Sequence, residues 1–328
     1  MTQAGVEVRV LRDAVQLACR APSLHNSQPW QWVADDTGLQ LFLDRDRMVE
    51  STDDSGPGRE ALIGCGAVLD HLRAAVTVAG WTANVDRFPN PNNRDHLASV
   101  NFGPLDYITD GHRQRADAIL RRRSDRLPFA APANWQFFEP SLRASVDDEV
   151  HLDVVPDGLR PQLAEASALT ESLRLYNSSY HSELDWWTGS FGTDDGIPPS
   201  ALVSAAESDR VDVGRTFPVT SHRDRRADIV EDRAMVLVLS TDDDSHSDAL
   251  RSGEALSQVL LECTVAGLAT CPVTHLTELA GSREVINTVI GRNGMPQVLI
   301  RVGQAPAIDE VAPITPRRPL SDVLKWRS

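Results

Sequence analysis

Hydrophobic positions recur at helical spacing in two long stretches of the chain, and each stretch ends in a glycine, as helices commonly do. The first stretch runs to Gly80 and the second to Gly267. Shorter runs of β-branched residues and leucine, bounded by turn residues, predict strands. The pattern predicts helices at about Val10–Cys19, Arg59–Ala79 and Gly111–Arg123, and strands at Leu39–Leu43, Ala98–Phe102, His151–Val155, Met235–Leu239 and Val298–Val302.

The two long helical stretches repeat one another at a constant separation, since 267 minus 80 gives 187 positions. At this separation Gly66 matches Gly253, and further identical pairs follow at both ends of the window. Two buried helices can share Ala, Val and Gly by chance, but identity at both ends favours an internal duplication. We therefore predict two halves, residues 1–108 and 109–328.

Residues 156–233 have no counterpart in the first half and are predicted to be an insertion. Within it, 171–176 has helical spacing, whereas 185–189 and 196–199 have the composition of loops. A long insertion without regular structure usually covers a functional site or is disordered. Its Trp, Tyr and Leu content favours an ordered, lid-like cover. The Trp-Trp pair at 186–187 is either part of the core of that cover, the more frequent role, or a wall of the pocket beneath it.

The composition is that of an ordinary globular protein, with 41% hydrophobic and 24% charged residues in 328. The net charge of −15 disfavours nucleic acid or an anionic membrane as a partner. No apolar run reaches the roughly eighteen residues of a membrane span, and the N-terminus lacks the basic start and apolar stretch of a signal peptide. We therefore expect a cytoplasmic protein whose four cysteines are reduced thiols.

An acidic chain that binds a phosphate must concentrate its arginines locally, and this chain does so at 121–123 and 317–318. Arg122, Arg123 and Ser124 offer guanidinium and hydroxyl donors within three positions, which are the donor types that a phosphate dianion requires. A basic run at a helix end is more often a solvated terminus that offsets the helix dipole. Here a serine and a further arginine follow the run, and this combination favours a ligand role.

Two segments resemble motifs of the FMN-dependent nitroreductases. Arg122 to Phe129 resembles R-x-S-x-[KR]-x-F, and Ala21 to Trp30 resembles A-P-S-x-x-N-x-Q-P-W. In that family the flavin lies at a dimer interface, and each subunit gives one of the two motifs. Here each half keeps only one motif, so the resemblance implies a dimer fused into one chain. It implies an α+β fold with α/β/α layers that is duplicated within the chain as a pseudo-dimer. Such a chain is expected to be a monomer and to bind one FMN.

Two more segments carry the resemblance. Gly267 to His275 is similar to G-L-x-x-x-P-[IV], and Thr274 and His275 match positions whose backbone donors approach flavin N5, although a glycine common there is absent. Arg317 resembles the closing arginine that reaches the phosphate, and Thr315 replaces the lysine often found before it. The Trp-Trp-Thr-Gly insertion resembles the Acg-type nitroreductases of actinobacteria. The cofactor-binding residues that the resemblance implies are Pro22, Ser23, Leu24, Asn26, Arg122, Arg123, Ser124, Arg126, Pro272, Thr274, His275 and Arg317.

Individual residues of these motifs have different expected roles. The Arg126 guanidinium is expected to reach the N1/O2 edge of the isoalloxazine, where a fixed cation raises the reduction potential. Pro22 and Leu24 are expected to pack against the ring, and Asn26 offers a polar contact at its edge. His25 falls at a variable position of the motif and is not predicted to be a ligand.

The resemblance leaves three functions open. The first is an NAD(P)H-dependent reductase of nitroaromatic or quinone-like acceptors, in which flavin N5 passes the hydride and no side chain does covalent chemistry. The second is an FMN storage or sequestration protein whose insertion seals the site. The third is a flavin-free scaffold, which requires solvated arginines. The only partner expected is a small-molecule acceptor, or none; no nucleic acid, membrane or metal is expected to bind.

Overall fold

The computed structural model describes residues 6–35, 38–49, 58–189, 196–307 and 314–327. Its α-helices are α1 (Val8–Ala18), α2 (Arg59–Val78), α3 (Asp110–Arg121), α4 (Trp135–Arg143), α5 (Arg160–Arg174), α6 (Ser178–Thr188), α7 (Ala205–Ser208), α8 (His246–Val265), α9 (Ala280–Ile290) and α10 (Leu320–Val323). Its strands are β1 (Trp30–Asp35), β2 (Gly38–Leu43), β3 (Trp81–Arg87), β4 (His96–Pro104), β5 (His151–Val154), β6 (Met235–Thr241), β7 (Ala269–Val273), β8 (Met295–Gly303) and β9 (Leu324–Trp326). Single 3-10 turns lie at Leu24–Asn26, Arg45–Arg47, Asp157–Leu159, Pro199–Ala201 and His275–Thr277.

The helices and strands with stated bounds in the sequence prediction are all present, and α3 has the most consequential difference. The helix was expected to reach Arg123, but it ends at Arg121. Arg122 follows in an extended conformation, with φ −54° and ψ 134°. The change of direction turns Arg122 inward, where only 6% of its surface is exposed, so it is not part of a solvated helix terminus.

The predicted loop at 185–189 is wrong, because most of it belongs to α6. The helix starts behind Asn177, whose side chain accepts a hydrogen bond from the backbone of Tyr180, as an N-cap residue does. Tyr180, Leu184 and Trp187 then recur at helical spacing and bury one face. The helix therefore depends on packing that the local composition does not reveal.

Two antiparallel sheets have the same topology. One has the strand order β3-β4-β2-β1 and the other β7-β8-β6-β5. The register shifts at the corresponding point in each, between Leu41 and Phe42 on β2 and between Leu239 and Ser240 on β6. The first sheet gains a fifth strand, because β9 pairs in parallel with β1 and brings the C-terminal segment to the N-terminal half. An internal duplication would produce this agreement; the duplication itself stays a prediction.

The helices α2 and α8 approach each other at two glycines. A Cβ atom on Gly66 would lie 1.9 Å from the carbonyl oxygen of Leu250, and one on Gly253 would lie 2.0 Å from the carbonyl oxygen of Ile63. Each of these contacts is the counterpart of the other at the separation of 187 positions. Reciprocal contacts of this kind are typical of interfaces with twofold symmetry.

Helix α2 is apolar because it lies inside the fold. By length and composition alone it is the one described helix that could cross a membrane, with a mean hydropathy of 1.4. Most of that window, 83%, is buried against other parts of the chain. A core helix of a folded protein passes the same test, so the helix is weak evidence for a membrane span.

The hydrophobic core is shared by both halves. The largest cluster of buried apolar residues extends from Leu11 in α1 to Leu324 in β9. A second cluster joins Leu163 and Val213 of the insertion to Phe129 and to strand β6. The described parts of the insertion, 156–189 and 196–233, are therefore packed into the fold as an ordered element.

Candidate cofactor and substrate site

Two adjoining cavities lie between the loop at 22–28, the end of α3, the end of β7 and the insertion. The larger has a volume of about 650 Å³ and the smaller about 340 Å³. They share the lining residues Pro22, Ser23, Ser124 and Arg126. Both volumes fall in the range of small-molecule sites, so one elongated ligand can occupy parts of both.

Several arginines line the smaller cavity, and four of them, Arg20, Arg122, Arg123 and Arg317, form what we call the arginine cluster. None of them forms an ion pair with a carboxylate within the described ranges. The Nε and Nη1 atoms of buried Arg122 have no hydrogen-bond partner among the described residues. Arg317 donates to backbone carbonyls, including that of Cys19 at 2.9 Å. Asp125 also lines this cavity, but it pairs with Arg226, so the positive charge of the cluster is not neutralised by a described side chain.

The electrostatic cost of this arrangement appears in the pKa values of the arginines. Burial, and then the neighbouring Arg123 and Arg20, lowers the pKa of Arg122 from its ordinary value to about 10. Burial, followed by Arg122 and Arg20, lowers the pKa of Arg317 to about 9. Because arginine remains protonated in proteins, these shifts describe a cost at neutral pH. A bound anion would relieve it.

The loop that borders both cavities is held in an unusual conformation. Its residues His25, Asn26 and Gln28 have positive φ angles of 51°, 63° and 53°. Such residues persist only where their surroundings fix them. The backbone amide of Gln28 donates to Ser23 Oγ at 2.9 Å, and the backbone amide of Arg318 donates to Gln28 Oε1 at 2.9 Å. The C-terminal segment therefore holds the loop in place.

The structure brings all but one of the sequence-predicted side chains to these cavities. The larger cavity is lined by Pro22, Ser23, Leu24, Ser124, Arg126, Pro272 and Thr274. The smaller is lined by Pro22, Ser23, Asn26, Arg122, Arg123, Ser124, Arg126 and Arg317.

His275 is the exception. It lies in the 3-10 turn after β7 and lines neither cavity; its side chain is fully buried, and its Nε2 shares a hydrogen bond with Ser167 Oγ at 2.8 Å. The imidazole is therefore a packing group between β7 and α5. A contact through the His275 backbone stays a prediction.

The lining residues that sequence reasoning missed include Arg20, His25, Glu171, Arg215 and Phe217. Arg20 directly precedes the Ala-Pro-Ser motif, and its charge was a signal that could have placed it in the cluster. The three residues of the insertion carry no motif, so only the folded chain places them.

The insertion forms one wall of the larger cavity, but not through its tryptophan pair. Trp186 is 61% exposed, and Trp187 is buried with the Arg47 guanidinium 5.8 Å from its ring centre. Neither lines a cavity among the described residues. The interpretation of the pair as a pocket wall is therefore wrong, and only Trp187 has the core role.

Buried ion pairs attach the insertion to the rest of the fold. Arg226 binds Asp125 at 2.5 Å, directly beside the arginine motif. Arg174 lies 2.7 Å from the buried Glu278, which Arg215 also binds. Charged groups without partners in such places would be strongly unfavourable, so these contacts resist displacement. The insertion is a fixed wall in this conformation.

The two cavities together fit a ligand with an anionic end and a flat apolar end. The arginine cluster and Ser124 supply charged and hydroxyl donors for a phosphate. Leu24 and Pro272 supply apolar surface in the larger cavity. Arg126 lies at the junction, with its guanidinium 4.8 Å from the Phe217 ring centre. This division matches the ribityl phosphate and isoalloxazine of FMN.

Curated relatives identify the family. The chain is 59% identical over 329 residues to a Mycobacterium tuberculosis protein whose provisional name is NAD(P)H nitroreductase acg, with 100% of this chain and 99% of the relative covered. The chain belongs to the Acg-type nitroreductase family. This confirms the predicted family and the α+β nitroreductase-like fold. A second M. tuberculosis protein, without an assigned function, is 55% identical to the Acg-type chain, covering 97% of it and 93% of the relative. No family model matches the chain.

Solved nitroreductases resemble the Acg-type chain more distantly. FMN-dependent NfnB from Mycobacterium smegmatis, in complex with NADPH, is 17% identical with a TM-score of 0.42, covering 67% of this chain and all of its own. A nitroreductase with bound FMN from Desulfitobacterium hafniense is 13% identical, also with a TM-score of 0.42, covering 66% and 98% of the two chains. Similarities of this size place no residue, so the site assignment depends on the geometry of the Acg-type chain.

Proposed function

We propose that this Acg-type chain binds FMN and is an NAD(P)H-dependent reductase of nitroaromatic or quinone-like acceptors. The observation that carries the proposal is the arginine cluster, whose four cations line a cavity without a described carboxylate partner. A phosphate dianion supplies the negative charge that balances the cluster, and the adjoining cavity offers apolar surface for the flat ring. The provisional name of the acg relative supports the same activity.

FMN, when bound, supplies hydride exchange at N5, which no amino-acid side chain provides. The chain's own residues bind and orient it. The arginine cluster and Ser124 hold the phosphate, Pro22 and Leu24 pack against the ring, and Arg126 keeps a positive charge between the two cavities. We assign the acceptor to the part of the larger cavity that the insertion lines, next to Glu171 and Phe217.

An FMN storage or sequestration protein is the second candidate, and one observation favours it. The insertion is attached by buried ion pairs, including Arg226 with Asp125 and Arg215 with Glu278. A wall held in this way does not open easily, and turnover requires exchange of substrates above the ring. The volume of about 650 Å³ in the larger cavity favours the reductase, because it gives a second planar molecule space.

The first experiment is the visible spectrum of the purified protein. Bound FMN is expected at one per chain, and full loading should be reached by adding FMN to any unloaded fraction. Absence of FMN both as purified and after FMN is added would contradict the cofactor assignment. Riboflavin is the matched control, because it has the same ring without the phosphate. It should bind far more weakly than FMN if the arginine cluster is the anchor.

The second experiment adds NADH or NADPH to the loaded protein without oxygen. Bleaching within seconds identifies a reductase, whose nitroaromatic and quinone acceptors can then be compared. A flavin that stays oxidised with both nucleotides, yet bleaches with dithionite, identifies a storage protein. The two candidates therefore give opposite results in one measurement.

The proposal also covers the cofactor count, the two halves and the oligomeric state. We propose one FMN per chain between halves 1–108 and 109–328, with the chain acting as an intramolecular dimer and therefore as a monomer. The matched strand orders and the reciprocal glycine contacts of α2 and α8 support the duplication. A cytoplasmic location is part of the same proposal.

A further inference from the structure

His25 lines the larger cavity although no family motif assigns it a role. Only 5% of its surface is exposed, yet its ring nitrogens make no hydrogen bond to the described residues. Neither nitrogen is among the fully enclosed polar atoms without a partner, so the nitrogens stay accessible from the cavity and can meet a ligand there. An imidazole that borders a cavity in this state calls for a ligand partner.

The backbone commits His25 to this position. Its φ angle of 51° lies in the left-handed region, which is uncommon outside glycine. The next residue, Asn26, donates through Nδ2 to the carbonyl oxygen of Pro316 at 3.2 Å, and Arg47 Nε donates to the carbonyl oxygen of Ser27 at 2.5 Å. These bonds from distant parts of the chain fix the backbone of the loop, and with it the position from which the ring reaches the cavity.

The electrostatic surroundings keep the ring neutral. Burial, followed by the cations Arg215 and Arg126, lowers the pKa of His25 well below 6.5. A neutral imidazole has one N–H donor and one nitrogen acceptor. At neutral pH His25 therefore offers a hydrogen bond without a charge.

The ring also marks the place where the N-terminal loop meets the insertion. Phe217 of the insertion contacts His25 edge-on, with ring centres 6.0 Å apart and an angle of 88° between the planes. Phe217 also stacks beneath the Arg126 guanidinium at 4.8 Å. His25 thus lies on the side of the cavity that the insertion closes, which is the side assigned above to the acceptor.

We propose that His25 is a specificity-determining residue, whose N–H donates a hydrogen bond to a carbonyl or nitro oxygen of a neutral planar acceptor. The inference rests on the proposed function, since it takes the acceptor to lie against bound FMN. Such a bond selects uncharged quinones and nitroaromatics over hydrocarbons of the same shape.

The test is a binding measurement on the oxidised, FMN-loaded chain without any reductant. The probes are menadione and 2-methylnaphthalene, which share a methylated two-ring shape but differ in the two carbonyl oxygens. Binding is followed by the change in flavin absorbance and fluorescence. The variants are His25→Phe, which keeps a ring without nitrogen, and His25→Gln, which keeps a donor and an acceptor. Both replacements lose a residue type favoured at positive φ, so their comparison isolates the hydrogen bond.

The unmodified chain should bind menadione more tightly than 2-methylnaphthalene. His25→Phe should lose about tenfold in menadione affinity, the worth of one hydrogen bond left unmade, while 2-methylnaphthalene binding stays the same. His25→Gln should recover part of the loss. Flavin content and thermal midpoint should match between the two variants.

Two results would overturn the inference. Equal menadione affinity in His25→Phe and the unmodified chain would show that the imidazole does not contact the acceptor. Loss of FMN from both variants would show that His25 holds the flavin instead. Failure of the proposed function is a separate result, because the unmodified chain would then contain no FMN before any probe is added.

Discussion

Two regions flank the contact of α2 with α8, and only one of them is open. The open region is the pair of cavities described above. The other, which we call the closed region, contains Arg87, Arg251 and Glu254 together with Asp147, Glu149, Val150 and Ala255, and it has no space for a water molecule. Arg87 forms two bonds to Glu254, at 2.7 and 2.8 Å.

The two regions are related by the separation of 187 positions found in the sequence. At this separation Gly64 of the open region corresponds to Arg251, and Thr274 corresponds to Arg87. Where the open region has two small residues, the closed region has two arginines, and carboxylates neutralise both. Similar backbone architecture therefore gives a cavity on one side and a filled core on the other.

The difference shows what arginine does in each setting. In the closed region each arginine has a carboxylate, so the region is complete and needs no ligand. In the arginine cluster of the open region none of the described carboxylates forms an ion pair with the arginines, so charge balance comes from an anion. Substitutions in one region, with flavin binding and stability measured for each variant, test this difference, and the expected effects run from the largest to the smallest.

Removal of the unpaired charge should abolish flavin binding. The double variant Arg122→Met with Arg317→Met is expected to lose more than about a hundredfold in FMN affinity, because two charged donors each contribute about 1.5–3 kcal/mol. The measurement is fluorescence titration of FMN into the apoprotein. Arg121→Met is the matched control, since Arg121 is adjacent but exposed. Unchanged affinity in the double variant would show that the phosphate lies elsewhere.

The close approach of α2 and α8 should tolerate no added atom. Gly66→Ala and Gly253→Ala are each expected to lower the free energy of unfolding by about 3 kcal/mol, because the new Cβ meets a backbone carbonyl that cannot move aside. Urea denaturation measures both. The two losses should be similar if the halves are related by duplication, and a clear inequality would argue against it. Gly281→Ala in α9, where a Cβ has open space, is the control and should be neutral or stabilising.

Breaking the closed region should cost stability without touching flavin content. Glu254→Ala leaves Arg87 and Arg73 without their shared carboxylate, and because both can partly reach water we expect a loss of about 2 kcal/mol. Glu254→Gln keeps hydrogen bonding and should lose less. Denaturation and the flavin spectrum are recorded on the same samples. A fall in FMN content at full stability would contradict the separation of the two regions.

The rim of the closed region should have the smallest effect. Arg251 pairs with Glu149 where the two side chains are 27% and 57% exposed, so Arg251→Ala should cost less than about 1 kcal/mol. The double variant Arg251→Ala with Arg87→Ala is the more informative test, because it removes both arginine side chains that fill the closed region. FMN should still bind at one per chain, because space without unpaired arginines does not hold a phosphate. A second bound FMN would show that the two arginine side chains exclude FMN from this region only by occupying its space.

Much of the fold could be predicted from the sequence, because hydrophobic spacing reports which face of an element is buried. The long helix from Arg59 and the repeat at Gly66 and Gly253 both came from that pattern. Helix α6 did not, since its burial depends on a partner surface far away in the chain. The end of α3 was placed two residues too late, because a run of arginines continues the helical pattern although the backbone turns inward at Arg122.

The candidate site divides in the same way. The arginine run and the Ala-Pro-Ser segment are contiguous in sequence, so their chemistry could be predicted with residue numbers. Arg20, His25 and Phe217 join them only in the folded chain, through hydrogen bonds and ring contacts between distant segments.

The sequence by itself determined the family resemblance, the acidic balance that makes a local arginine cluster meaningful, and the repeat of 187 positions. The tertiary structure decided which region is open. That outcome depends on whether an arginine faces a carboxylate or a cavity, and on whether a glycine or an arginine stands at one point of a helix. The sequence gives the residue at that point, Gly64 or Arg251, but only the fold shows what each residue faces, because the partners are far apart in the chain.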